Sequence, residues 1–193
     1  MKDLSHHLLD ILENSAKAGA SLTVVEFEWQ DEWLTVQLTD NGPGFAPEVR
    51  DDPTNPFATT RVERPVGLGL ALFRSSAEQT GGSLAVQPNP DGGVHLTAIF
   101  NMKHIDAKPV GNLADALTTA MAAWPDMDLL VRIGRNHEPA IDTAEVKREL
   151  DGIPLEQPKV RAYLRRILED EFSGLTQWAE KTSGSHGNSE SLQ

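Results

Sequence analysis

Asp40-Asn41-Gly42-Pro43-Gly44-Phe45 is the stretch whose reading decides the fold. Ahead of it Leu34, Val36 and Leu38 alternate with polar residues, as a half-buried strand does. Asn-Gly and Pro-Gly pairs turn the chain in any protein, so the hexapeptide taken alone is only a turn. Asp40 stands where the strand gives way to it. A carboxylate there either starts an Asx-type turn or accepts a hydrogen bond from an exocyclic amine such as that of adenine. Glycines at 42 and 44 lack a Cβ and let the backbone approach a flat ring closely. The order in which this box, Glu13-Asn14 before it and Gly67-Leu68-Gly69-Leu70 after it occur carries the reading.

Upstream, the spacing predicts a helix from about Leu4 to Ala18, ended by Ala18-Gly19-Ala20. At 100° per residue Leu8, Leu12 and Ser15 face a core, while Asp10, Asn14 and Lys17 share the opposite side with Glu13 at its edge. That polar side is either a solvated face or the wall of a site. Asparagine is a mediocre helix former, so Asn14 in mid-helix invites a second reason. Its carboxamide oxygen can ligate Mg²⁺, and a carboxylate one turn earlier can orient water. Leu22 to Trp29 reads as a strand joined through Gln30-Asp31-Glu32 to the strand that ends at Asp40.

Downstream, Ala46 to Val66 has neither helical nor strand period and reads as a long loop or lid, in which Arg61 and Arg64 either close over phosphates or only keep the loop soluble. Gly67-Leu68-Gly69-Leu70 then opens a helix running from Leu70 to about Thr80, capped by Gly81-Gly82. Glycines feeding a helix N-terminus make an anion site, because free N–H groups and the positive dipole end point at the ligand. This is neither the dinucleotide fingerprint nor a Walker loop. Ser83 to Gln87 and Val94 to Asn101 form a second hairpin. The expected fold is α/β, an α+β two-layer sandwich with a mixed sheet covered on one face by helices.

Composition narrows the chemistry. There are no cysteines, which excludes disulfides, thiolate-bound metal and thiol catalysis. The formal charge of −12 argues against a nucleic-acid partner, which needs a basic face. Neither a signal peptide nor a membrane span fits the opening residues, which predicts a cytoplasmic protein without a membrane partner.

Taken together, the three boxes resemble those of the GHKL, or Bergerat-fold, ATP-binding superfamily of gyrase, ninety-kilodalton heat-shock chaperones, histidine kinases and MutL proteins. The likeness covers about Lys2 to Met102. It implies ATP and Mg²⁺ as cofactors, with Asn14 ligating the metal and Asp40 binding adenine N6. Gly42 and Gly44 would shape the base pocket, and Gly67, Leu68, Gly69 and Leu70 would cradle the phosphates. Asn55-Pro56-Phe57-Ala58-Thr59-Thr60-Arg61 looks like the histidine-kinase version, which adds Thr60 and Arg61 to the nucleotide set and gives Lys17 a phosphate contact. Glu13-Asn14-Ser15 with Ala18-Gly19-Ala20 leans instead towards MutL. Asp10 occupies the place of that branch's general-base glutamate, and Glu13 ranks second as a base. No phosphoacceptor hairpin is expected, since His6 and His7 lack its sequence setting.

Three domains are expected: an ATP-binding domain over 1–102, a small α+β appendage over 103–181 and a disordered tail over 182–193. The appendage should hold a helix from Leu113 to Trp124, a hairpin through Asn136-His137, and helices at about Thr143–Leu150 and Pro158–Phe172. Its expected role is packing, homodimerisation or recognition of a protein partner. The chain is similar to small stand-alone bacterial ATPases, some of which accompany hydrogenase or NADH-oxidising subunits. The resemblance thus implies a nucleotide-dependent regulator or slow ATPase acting on a partner. An anti-sigma-type protein-serine kinase and a nucleotide-occupied subunit without turnover are the alternatives.

Overall fold

The computed structural model describes residues 3–45, 68–90, 92–135 and 138–184. Helix α1 (Leu4–Lys17) leads into strands β1 (Leu22–Gln30) and β2 (Trp33–Asp40). Helix α2 (Leu68–Glu78), strands β3 (Ser83–Pro88) and β4 (Val94–Asn101) and helix α3 (Leu113–Ala123) follow. The chain continues through β5 (Asp128–Ile133), β6 (Pro139–Asp142), α4 (Thr143–Glu149), α5 (Pro158–Glu171) and α6 (Ser173–Gly184).

The strands form one mixed sheet in the order β3-β4-β2-β1-β5-β6. All neighbours are antiparallel except β1 and β5, which pair parallel from Leu22 opposite Asp128 to Phe27 opposite Ile133. The period of two in the strands decides which side is covered. Val25 and Phe27, Leu34, Val36 and Leu38, Leu96, Ala98 and Phe100, and Leu129 and Val131 are all buried. The intervening Glu26, Glu28, Thr35, Gln37 and Thr97 keep partial exposure on the other face. Helical side chains fill the covered face. Phe73 of α2 meets Phe100 with ring centroids 5.2 Å apart, and Phe172, the C-cap of α5, meets Phe27 edge-on at 5.1 Å.

Helix α1 is held at both ends. Its N-cap Asp3 accepts a hydrogen bond from the His6 N–H, and the Leu4 and Ser5 N–H groups donate to the Pro109 and Val110 carbonyls at 3.0 Å. Those are helix-terminal donors that would otherwise lack a partner. At the other end Gly19 takes φ +86° and turns the chain into β1. Leu8, Leu12 and Ser15 are buried, as their spacing predicts.

Two elements differ from the sequence expectation. Helix α2 starts at Leu68, so Leu68 and Gly69 form its first turn instead of preceding it. Thr182, Ser183 and Gly184, expected in a disordered tail, belong to α6, which no sequence signal had been assigned. The helix is anchored by Leu175 and Ala179, both buried, by Trp178 Nε1 donating to the Asp31 carbonyl at 2.9 Å, and by Ser183 Oγ donating to the Met102 carbonyl. Tertiary packing outweighs its poor Ser/Gly/Thr propensity.

Candidate functional site

Between α1, α2 and the ends of β2, β3 and β4 lies a cavity of about 350 Å³. It is lined by Asn14, Ser15, Lys17 and Ala18 of the α1 end, Leu38 and Asp40 of β2, Gly44 and Phe45 after it, Leu70 of α2, and Val86, Val94 and Leu96 of the hairpin. Apolar walls with a few convergent polar groups are the usual form of a small-molecule site, and the volume is within the common range of about 300–1,000 Å³.

Asp40 is the polar centre of the cavity wall and is only 7% exposed. Its Oδ1 accepts from the Gly42 N–H at 3.0 Å and the Val94 N–H at 3.3 Å, while its Oδ2 accepts from Ser15 Oγ at 3.0 Å. An ionised carboxylate offers about four acceptor positions. Three are taken by described residues, which leaves one on Oδ2. Among the described residues, the Asx-type turn and a remaining acceptor position therefore coexist on one side chain.

The glycines around it let backbone pack closely against it, tightly at 42 and without room for any side chain at 93. A Cβ at Gly42 would stand 3.2 Å from Asp40 Oδ1 and 3.6 Å from Ala20 Cβ. At Gly93, φ is +90° and a Cβ would fall 2.0 Å from the Asp40 carbonyl oxygen. The hairpin glycine thus lets β4 close on the turn. Asn41 fastens that turn from behind, its Oδ1 accepting from the Ser21 and Leu22 N–H groups at 2.9 Å.

Helix α1 faces α2 with Asp10 and Asn14. A Cβ on Gly69 would lie 3.2 Å from Asp10 Cβ and 3.9 Å from Asn14 Nδ2, so glycine permits the first turn of α2 to approach both side chains. No acidic residue stands in that first turn. Lys17 lies on the cavity wall and donates to Glu13 Oε1, so these two predicted residues hold each other one turn apart.

Asn14, Lys17, Asp40, Gly44 and Leu70 are therefore brought together around one space, with Gly42, Gly69 and Asp10 packed immediately against it. Glu13 is joined to the group through Lys17. Thr60, Arg61, Arg64 and Gly67, and the whole Ala46–Val66 loop, lie outside the described residues; of Leu68 only the backbone position at the start of α2 is described. Sequence reasoning missed Ser15, Gly93 and Val94. Ser15 looked like a core position, and Gly92-Gly93 looked like a hairpin turn and nothing more.

Over residues 1–104 the sequence matches the family described as histidine kinase-, DNA gyrase B-, and HSP90-like ATPase. The chain belongs to this ATPase family. Its match covers more than half of the 193 residues. Within the family the ATPase domain is similar to those of histidine kinases. The C4-dicarboxylate transport sensor protein DctB of Rhizobium meliloti is 33% identical over 104 residues, which are 52% of this chain and 16% of that protein. The sensor histidine kinase CpxA of Escherichia coli is 30% identical over 98 residues, 48% of this chain and 21% of the kinase. The nitrogen regulation protein NtrY of Azorhizobium caulinodans is 33% identical over 98 residues, 46% of this chain and 13% of its own length. The chain thus spans about a fifth or less of these relatives. Among the described residues no helix is long and apolar enough to cross a membrane.

Proposed function

We propose that this ATPase domain binds Mg-ATP in the cavity around Asp40, and that nucleotide occupancy governs its action on a protein partner, with slow hydrolysis or phosphoryl transfer as its chemistry. The observation that carries the reading is the remaining acceptor position of the buried Asp40 carboxylate on a largely apolar cavity, in a chain of this family. An adenine amino group has the donor that this position lacks, and Leu38, Val94 and Leu96 supply an apolar lining for the ring. The N–H groups opening α2 are the phosphate holders, helped by the helix dipole and by Lys17.

The donor set also fits Mg²⁺. It prefers oxygen ligands and few protein groups, using phosphates and water for the rest. Asn14 supplies the carboxamide oxygen beside the α2 N-terminus. When bound, the metal would neutralise phosphate charge. Asp10, one turn before Asn14 and against Gly69, is the base that orients the attacking water, with Glu13 steering Lys17.

Incubation with γ-labelled ATP and Mg²⁺, scoring free phosphate and protein-bound label together, tests the chemistry. At limiting ATP, turnover should fall about ten- to a hundredfold in Asp40→Asn, and Asp10→Asn should still bind ATP while losing about a hundredfold in phosphate release. Unchanged turnover in Asp40→Asn would refute the site. Tight binding without any turnover in the wild type would leave the site intact and remove the hydrolytic half of the reading.

A further inference from the structure

A second cavity, of about 340 Å³, lies far along the chain from the nucleotide site, between α4 and α5. Helix α4 packs on β5, whereas α5 packs on α3 and β6. The two helices are therefore anchored to different neighbours, and the space between them is a groove. Val146 and Leu150 form one wall, and Val160 and Ile167 the other. Lys159, Tyr163 and Glu149 stand on its rim.

Charge separates this groove from an ordinary crevice. The protein carries 17 Lys and Arg against 29 Asp and Glu. Yet from Pro158 to Leu168 helix α5 has Lys159, Arg161, Arg165 and Arg166 and no acid at all. Arg165 is engaged by Asp115 and Glu169. Lys159, Arg161 and Arg166 are exposed and pair with none of the described residues. Lys159, Tyr163 and Arg166, at i, i+4 and i+7, fall on one stripe of the helix beside the groove. Tyr163 is 66% exposed, and Ile153, three residues beyond Leu150, is 47% exposed. Apolar floor, exposed aromatic and unpaired cations on one side are the features of a helix-in-groove receptor whose ligand is negatively charged.

We propose that this groove receives an acidic amphipathic helix from a partner protein. Apolar side chains at i, i+3, i+4 and i+7 of that helix would enter the space between Val146 and Ile167. Its carboxylates would meet Lys159 and Arg166, away from Glu149.

The test uses the full chain and two synthetic helical peptides that share leucines at i, i+3, i+4 and i+7, one with Glu and one with Lys at the polar positions. Methyl NMR and fluorescence anisotropy would be read with the wild type and with Lys159→Glu/Arg166→Glu, whose changed residues are exposed. The Glu peptide should shift the methyl signals of Val146, Val160 and Ile167, weaken with salt, and lose about tenfold or more in affinity on charge reversal. The Lys peptide should prefer the reversed variant. Equal binding of both peptides, or shifts confined to other methyls, would overturn the proposal. So would movement of the groove methyls with protein concentration alone, which would make a second copy of this chain the occupant.

Discussion

At the scale of single residues, Asp40 illustrates how little freedom the site allows. Its two oxygens accept from a turn N–H, a strand N–H and a helix hydroxyl, and on the proposed reading from an adenine amine, towards which an asparagine in its place would turn its N–H₂. Asp40→Asn should raise the ATP dissociation constant by about ten- to a hundredfold, the loss expected for a hydrogen bond to a buried charge of about 1.5–3 kcal/mol; isothermal titration measures it. Gly93→Ala should cost both stability and binding, because its Cβ would collide with the Asp40 carbonyl at a backbone angle that alanine resists. Thermal melts with and without ATP would show both. Asp3 sets an acid limit. Burial raises its pKa, but hydrogen bonds from Ser5 Oγ, the His6 ring and the His6 N–H outweigh that and hold it below the usual carboxylate value. A carboxylate with a depressed folded pKa contributes stability above its unfolded pKa of about 3.9 and loses it as pH falls through the folded one. Asp3→Asn should therefore flatten the acid limb of a stability–pH curve below about pH 4. Asp40 and Asn14 were legible from local pattern, one at a strand end and the other in mid-helix. Ser15 and Val94 were not, since they lie 25 and 54 residues from Asp40 and only folding sets them at its oxygens.

At the scale of elements, Lys108 ties the packing of α1 against α2 to the residues that follow β4. Lys108 reaches between the two helices, its Nζ donating to Ser76 Oγ at 2.6 Å and lying 3.2 Å from His7 Nε2, while Ser76 Oγ donates to the Leu72 carbonyl at 2.7 Å. Both His7 and Ser76 are almost fully buried. The next residues, Pro109 and Val110, cap α1. Lys108→Met keeps the length of the side chain and removes its donors, so it should cost about 1–3 kcal/mol in urea unfolding. Lys108→Ala, which also removes the stem, should cost more. Nothing in the sequence pointed to this strap, because a lysine before a proline in a loop has the look of any solvated residue. Helix α6 was hidden differently. Leu175, Trp178, Ala179 and Thr182 follow the i, i+3, i+4, i+7 rule, but Ser, Gly and Thr between them lower the propensity that made the other helices visible.

At the scale of the molecule, β5 makes the chain continuous. It pairs parallel with β1, a long-range contact that no local pattern encodes, and places Leu129 and Val131 in the same core as Val25 and Phe27. With α3 against α1, the residues beyond the family match complete the sheet and the helical layer that carry the site. A chain cut after residue 104 should therefore expose the β1 edge and lose the cooperative melt of the whole protein, which circular dichroism would record. The faces of the assembled sheet follow the alternation of Leu34, Val36 and Leu38 in β2, whereas in β1 the buried positions are Thr23, Val25 and Phe27 and not Leu22 and Val24. The central claim is that Asp40 reads an adenine amine, and it is tested most directly by titrating the full chain with Mg-ATP and with its N6,N6-dimethyl analogue, which lacks the N6 donors. The wild type should bind ATP and discriminate against the analogue, and Asp40→Asn should bind both weakly. Equal affinity of the wild type for the two nucleotides, or no affinity for either, would contradict the account.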